Sequence, residues 1–185
     1  MTEPETKSRS CLFTAFKWLL LLVLGLAALI IGIPLFLLDG KYEVARETTI
    51  KAAPEAVHKQ VGDLREWPNW LPFVKQDPSV KTTIETPTGV GAHQHWTSNQ
   101  GNGKLTFTAT DPHKGVEYTM LFDEKWPAQG SITYAAAGED TRVTWRMTGQ
   151  NSGVLGKWMA FIMPRMVGPK FEDGLVDLKN KVEGK

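Results

Sequence analysis

Cysteine is almost missing from this chain of 185 residues, and the single one, Cys11, lies close to the N-terminus. No cysteine occurs from Asp39 to Lys185. That part of the chain therefore has no disulfide bond, no thiol nucleophile and no thiolate metal site. Cys11 precedes the apolar run described below, so it is not placed like the acylated cysteine of a lipoprotein.

The chain also lacks a surplus of charge of either sign. Its 21 Lys and Arg nearly balance 20 Asp and Glu, which gives a net charge of +1 at pH 7. Nucleic-acid-binding domains present a basic face or stripe, and the basic residues here do not cluster into one. We therefore predict that the chain has no nucleic-acid partner.

Charged side chains are absent from Trp18 to Leu38. At about 1.5 Å per residue, a helix over 18–38 is roughly 30 Å long, which matches the hydrocarbon layer of a bilayer. A soluble core helix would keep one polar face, and a cleaved signal peptide would have a shorter apolar region followed by small residues. We predict a short tail over 1–17, a transmembrane anchor over 18–38 and one domain over 41–185, with a cleaved signal as the alternative.

The sequence gives only a weak indication of which end of this anchor faces the cytoplasm. Basic residues flank both sides of the apolar run in similar number, and the positive-inside rule counts only these. Lys17 directly abuts the run and the preceding tail is short. We expect a single-pass protein with its N-terminus in the cytoplasm and its C-terminal domain outside the cytoplasm.

The domain begins with alternating apolar residues over 41–51, which predicts a strand. A short helix follows Pro54, and the stretch 63–73, rich in tryptophan and proline, predicts a second short helix or turn over an apolar site. Further strands with turns suited to antiparallel pairing are predicted at 80–85, 91–99, 103–110, 115–122, 130–136 and 142–148.

The last thirty or so residues change to a helical period, with Trp158, Ile162 and Met166 four residues apart. Phe171, Leu175, Leu178 and Val182 continue the apolar stripe. Pro164 and the pair Gly168–Pro169 should kink or divide this helix. The fold class is α+β: a curved antiparallel sheet of about seven strands around a long C-terminal helix. We expect a space between sheet and helix, and this space is the predicted site.

This order of elements resembles the helix-grip fold of the START-like, or polyketide cyclase/dehydrase-like (SRPBCC), superfamily. The strings TTIKAAPEAVHKQVGDLREWPNW, GVGAHQHWTSNQGNGKLTFTATDPHKGVEYTMLF, EDTRVTWRMTG and MVGPKFEDGLVDLKNKVE carry the resemblance. It covers about 42–183 and is similar to a subset with one N-terminal membrane segment. The resemblance implies a pocket for an apolar ligand, and it implies an enzyme only weakly, since no string is a catalytic signature.

Large apolar residues with a few polar tips are typical of small-molecule sites, although the same residues can simply fill a core. Among them, Tyr118, Tyr134 and Trp145 each offer a hydrogen-bonding group to a ligand. The predicted cavity residues are Trp96, Phe107, Tyr118, Met120, Phe122, Tyr134, Trp145, Trp158, Ile162 and Met166. Trp67, Trp70 and Phe73 are candidates for a lid over the pocket, with a turn or cap as the alternative.

Two histidines, His93 and His95, share one face of a predicted strand and could hold a metal with Asp111 or His113. Because Trp96 is the more apolar neighbour, we expect Ala92, Gln94 and Trp96 to point inward and both histidines to face solvent. The glycine-rich turn 99–103 joins two strands rather than opening a helix, so it does not indicate a phosphate site. We predict no metal, no cofactor and no catalytic residue.

Three functions remain open at this point. The first is a membrane-anchored binding or carrier domain for a hydrophobic small molecule or lipid held between sheet and helix. The second is a cyclase or dehydratase acting in the same cavity, which would need a buried acid–base pair. The third is a structural or regulatory interaction protein whose core is filled by its own side chains. The pattern does not determine the ligand or the oligomeric state.

Overall fold

The computed structural model describes residues 6–185, with side chains from residue 13 onward, so the start of the predicted tail and the side chain of Cys11 lie outside the described residues. The helices are α1 (Thr6–Phe36), α2 (Pro54–Val61), α3 (Pro72–Gln76) and α4 (Gly153–Glu183), with a 3₁₀ turn at Trp67–Asn69. The strands are β1 (Lys41–Ile50), β2 (Lys81–Thr86), β3 (His93–Thr97), β4 (Gly103–Asp111), β5 (Gly115–Phe122), β6 (Trp126–Ala137) and β7 (Asp140–Gln150).

The strands form one seven-stranded antiparallel sheet in the order β1-β7-β6-β5-β4-β3-β2. β2 to β7 form a meander, and β1 joins the far edge by pairing with β7. Alternate residues are buried along much of β1 and β7, as period 2 requires, whereas in β2 they are only partly buried. The predicted α+β architecture, with a sheet and a long terminal helix, is confirmed.

The helix α1 contains the predicted anchor. Its segment Phe13–Phe36 spans 24 residues with mean hydropathy 2.9, and is long and apolar enough to cross a membrane. Most of its large apolar side chains are exposed. Only residues 37–40 separate α1 from β1, so the domain follows the helix directly.

The terminal helix α4 is continuous from Gly153 to Glu183, so the prolines do not divide it, although they were predicted to kink or divide it. Pro164 and Pro169 each remove one backbone donor from a helix that packs against both β1 and α1.

The side of α4 that faces the sheet also differs from the predicted stripe in its first half. The buried residues are Gly156, Ala160, Gly168, Phe171, Gly174, Leu175 and Leu178. Phe171, Leu175 and Leu178 were correctly placed on the inner face, whereas Met166 is exposed and Trp158 contacts α1.

Candidate functional site

Six aromatic rings, here called the aromatic cluster, fill the centre of the interface between the sheet and the helices. The Trp145 ring stacks on Phe171 of α4 with centroids 3.9 Å apart, and Trp70 meets the Trp145 ring edge-on at 5.5 Å. The Trp67 ring lies 5.6 Å from that of Tyr118. All members are buried: Trp67, Trp70, Phe107, Tyr118, Trp145 and Phe171. The central part of the predicted cavity is therefore occupied by side chains in mutual contact.

Small residues on α4 explain this close packing. A Cβ atom added to Gly174 would lie 2.7 Å from Cζ3 of Trp145, and one added to Gly156 would lie 2.8 Å from Cζ3 of Trp126. Both distances are shorter than a van der Waals contact. The helix thus lies close against the sheet at these points, which leaves no space for a ligand there.

Burial is incomplete at the end of the sheet nearest α1, which we call the anchor-side rim. The rim consists of Trp96, Met120 and Phe122 on the inner face of the sheet, together with Ile84 of β2, and all four are partly buried. The rings of Trp96 and Phe122 meet edge-on with centroids 5.5 Å apart. On α4, Met163 and Val167 are likewise partly buried against the core. Apolar surface with partial access to solvent is concentrated here.

One polar side chain lies inside this apolar rim. Gln94 is only 6% exposed, and its neighbours in register are Ile84 on β2 and Leu105 on β4. Its Oε1 atom is buried and has no hydrogen-bond partner among the described residues. A buried amide oxygen without a donor is costly, so this atom is suited to accept a hydrogen bond from a ligand. The alternating pattern predicted its inward direction, but not its significance.

A second polar contact lies at the opposite end of the sheet, between Tyr134, a predicted cavity residue, and His58, which was not predicted as a site residue from the sequence. Nδ1 of His58 lies 3.3 Å from the Tyr134 hydroxyl, and Nε2 of His58 lies 3.3 Å from Oγ1 of Thr110. Burial lowers the pKa of His58, while the charge of Asp111 opposes that shift. Burial raises the pKa of Tyr134. Both shifts favour the uncharged form of the group, so this contact is a polar pair in a partly buried environment.

The other predicted cavity residues are not gathered around one space. Phe107, Tyr118 and Trp145 belong to the aromatic cluster, Trp96, Met120 and Phe122 belong to the anchor-side rim, and Tyr134 contacts His58. Trp158, Ile162 and Met166 lie on a part of α4 that is only partly buried or exposed.

The three lid candidates differ in burial. Trp67 and Trp70 lie within the core, where their indole N–H groups donate to the backbone carbonyls of Val61 and Gln60 at 2.8 and 3.1 Å. Phe73 alone is exposed. The tryptophans enter the core because the 3₁₀ turn directs them under α2.

His93 and His95 face solvent as predicted, and both contact Glu85. Nε2 of His93 lies 2.8 Å from Oε2 of Glu85, and Nδ1 of His95 lies 3.4 Å from Oε1. His113 contacts Glu55 instead, at 3.1 Å. Within the described part of the chain, no group of three His, Cys, Asp or Glu is arranged to hold a metal ion.

Two surface clefts lie at the same end of the domain as the rim. One, of about 390 Å³, is bounded by residues 37–41 together with Lys157, Ala160 and Phe161. The other, of about 710 Å³, lies where β1, β5, β6 and β7 end or begin, and includes Met120 and Tyr42. The larger cleft is lined mostly by residues on the outer face of the sheet, such as Thr119, Gln129 and Thr148. Of the rim residues, only Met120 lines either cleft.

Comparison with known proteins supports this description of the fold. Residues 41–183 match the family model described as polyketide cyclase/dehydrase and lipid transport. No curated protein sequence gives a significant match.

Solved structures share the fold at low sequence identity. The solution structure of KanY protein is 20% identical, with a TM-score of 0.60, and the match covers 78% of this chain and 99% of KanY. A protein from Chromobacterium violaceum is 16% identical with a TM-score of 0.58, covering 76% and 96% of the two chains. The Aha1 dimer from Colwellia psychrerythraea is 18% identical with a TM-score of 0.57, covering 76% and 96%.

Proposed function

Because the chain belongs to the polyketide cyclase/dehydrase and lipid transport family, we propose that it is a membrane-anchored domain that binds a hydrophobic small molecule or lipid. The family supports a hydrophobic ligand in general terms. The apolar helix α1, joined directly to the domain, supports the membrane attachment. The anchor-side rim rather than the centre of the interface is the binding site in this proposal.

The observation that carries the proposal is the orphaned amide oxygen of Gln94 among the partly buried apolar side chains of the rim. A ligand bound there would bury its apolar part against Trp96, Met120 and Phe122, at about 25 cal/mol per Å² before the costs of ordering. A hydroxyl or amide N–H of the ligand would donate to Oε1 of Gln94. The ligand class is thus an apolar molecule with one hydrogen-bond donor.

The test compares Gln94→Leu with Gln100→Leu, a glutamine exposed in the turn between β3 and β4. Native mass spectrometry of the full-length protein in detergent should show a co-purified apolar molecule, which Gln94→Leu loses and Gln100→Leu retains. Since Gln94→Leu removes an unpaired buried polar atom, it should not lower the free energy of unfolding. Repeated absence of any bound molecule, with no change of tryptophan fluorescence on adding fatty acids or sterols, would favour an interaction protein with a filled core.

We also propose that the domain lies outside the cytoplasm, on the strength of Lys17 next to the apolar run. Fusing alkaline phosphatase or green fluorescent protein after Lys185 tests this. Phosphatase activity with a dark fluorescent fusion supports the proposal, and the reverse result contradicts it.

A second candidate function, an acid–base enzyme of the cyclase or dehydratase kind, is favoured by the contact of His58 with Tyr134. If this pair acts on a substrate, Tyr134→Phe should abolish turnover of polyketide-like substrates while the protein remains folded. A binding protein would lose no ligand affinity in this variant, because Tyr134 is at the end of the sheet remote from the rim.

A further inference from the structure

A hydrogen bond joins the terminal helix α4 to α1 at a position where one backbone hydrogen bond of α1 is missing. In an α-helix the carbonyl of residue 30 accepts the N–H of residue 34, but Pro34 has no N–H. The indole Nε1–H of Trp158 donates to the Ile30 carbonyl oxygen instead, at 2.9 Å. Pro34 itself is buried, unlike most residues of α1. α4 therefore contacts α1 at the point where its backbone has a free acceptor.

The first half of α4 remains strongly apolar on the surface that the sheet does not cover. Leu155 is 65% exposed, Phe161 46% and Met166 55%. Outside α1, few large apolar side chains of the described chain are this exposed. Trp158 contacts α1, and Phe161 lines one cleft together with Leu37 and Leu38. The exposed apolar side chains of α1 and of this half of α4 together exceed what soluble proteins normally leave uncovered.

The charges in this half of α4 are all positive. Lys157 and Arg165 are its ionisable residues, the next one is Lys170, and the first acidic residue of α4 is Glu172. The Arg165 guanidinium lies 5.2 Å from the centre of the Phe161 ring. Tryptophan, exposed aliphatic residues and basic residues without acidic ones are typical of helices that lie in the headgroup region of a bilayer.

We infer that the first half of α4, residues 153–167, lies in the interface of the same bilayer that α1 spans. Leu155 and Met166, which share one side of the helix, point towards the acyl chains in this placement. Lys157, Phe161 and Arg165, each four residues apart, lie at the level of the anionic headgroups. This inference rests on the proposed anchoring. Ile30 lies about 9 Å along the helix from Phe36, at about 1.5 Å per residue. Interfacial helices lie about 5–10 Å deep, so the position of the Trp158 contact agrees with that placement.

Spin labels test the inference on full-length protein in nanodiscs that contain phosphatidylcholine and phosphatidylglycerol. Cys11→Ser provides the background, and single labels are placed by Leu155→Cys, Met166→Cys, Val176→Cys and Leu24→Cys. Val176 is the matched control, since it lies on the same helix and, like Met166, is 55% exposed. We expect labels at 155 and 166 to be accessible to oxygen and shielded from a water-soluble nickel chelate, and the label at 176 to show the opposite.

The outcomes separate this inference from the anchoring on which it rests. Chelate access at 155 and 166 equal to that at 176, with the label at 24 still in lipid, overturns the interfacial placement alone. A label at 24 that the chelate reaches overturns the anchoring itself. Trp158→Phe keeps an aromatic ring but loses the hydrogen-bond donor, so it should raise the mobility of the label at 155 without moving the label at 24. Unchanged mobility at 155 contradicts the role of the Trp158 bond.

Discussion

The indole N–H of Trp145 donates a hydrogen bond of 2.7 Å to the hydroxyl of Tyr118, across the intervening strand β6. Both side chains are buried, and Gly130 of β6 lies beneath the Tyr118 ring, where a Cβ atom would lie 2.2 Å from Cε2 of that ring. The glycine gives the tyrosine room to lie across β6 towards β7. The bond therefore joins three strands through the centre of the aromatic cluster.

Replacing Tyr118 with phenylalanine should destabilise the protein, because it leaves the Trp145 N–H buried without an acceptor. The expected loss in free energy of unfolding is about 1–3 kcal/mol. Denaturant unfolding of the full-length protein in detergent, followed by near-UV circular dichroism, measures it. A double-mutant cycle with Trp145→Phe isolates the pair, and a coupling energy near zero would contradict the assigned role.

Gly174→Ala should also destabilise the protein, because the new methyl group would meet Cζ3 of Trp145 at 2.7 Å and Cδ of Pro72 at 3.0 Å. Overpacking of this kind costs about 1–3 kcal/mol, against a gain of about 1 kcal/mol in helix propensity. We expect a net loss of up to about 2 kcal/mol in the same unfolding assay. Val176→Ala, at an exposed position of the same helix, should change stability by less than about 0.5 kcal/mol, and an equal effect of both variants would refute the close packing.

Acid should weaken the fold through His58, whose pKa is lowered by burial despite the opposing charge of Asp111. The unfolded chain then binds a proton more readily than the folded one, so stability is intact above the unfolded pKa of about 6.5 and falls as the pH drops below it. His58→Gln should flatten this part of the stability profile, measured by thermal unfolding between about pH 7.5 and 5. An unchanged profile would show that other groups cause the loss of stability at low pH.

His93 should behave in the opposite way, because its hydrogen bond to Glu85, with a further one to the Gly91 carbonyl, raises its pKa. Its contribution to stability is complete below the unfolded pKa and is lost as the pH rises through the raised folded pKa. Glu85→Gln should lower the pKa of His93 in an NMR titration of the imidazole protons. The His58 resonance serves as the internal reference, since Glu85 does not contribute to the pKa shift of His58. If the pKa of His93 stays the same in Glu85→Gln, Glu85 is not the cause of its raised pKa.

Local patterns in the sequence were sufficient to predict the main strands and helices of the fold. Alternation over 41–50 and 115–122 predicted strands that the structure contains, and the inward direction of Gln94 followed from the apolar residues on either side of it. These features depend on near neighbours in the chain, and period 2 determines them once one face is buried.

The centre of the site depends on contacts that the sequence does not show. The stripe of Trp158, Ile162 and Met166 predicted the face of α4 towards the sheet, but glycine and alanine occupy much of that face because aromatic side chains of the sheet and the 3₁₀ turn already fill the space. The contact of His58 with Tyr134 joins residues far apart in the chain. A prediction that assigns the largest apolar residues to the inner face of a helix fails where that face must carry small residues to fit against aromatic rings.

The direct connection between α1 and β1 limits where the domain can act. Residues 37–40, even if fully extended, span at most about 14 Å. With α1 across a bilayer, the rim stays beside the leaflet from which the chain emerges and cannot travel to a second membrane. A protein with this connection would exchange its bound ligand with one monolayer only. Transfer of the ligand to another membrane would require a second carrier that binds next to this domain.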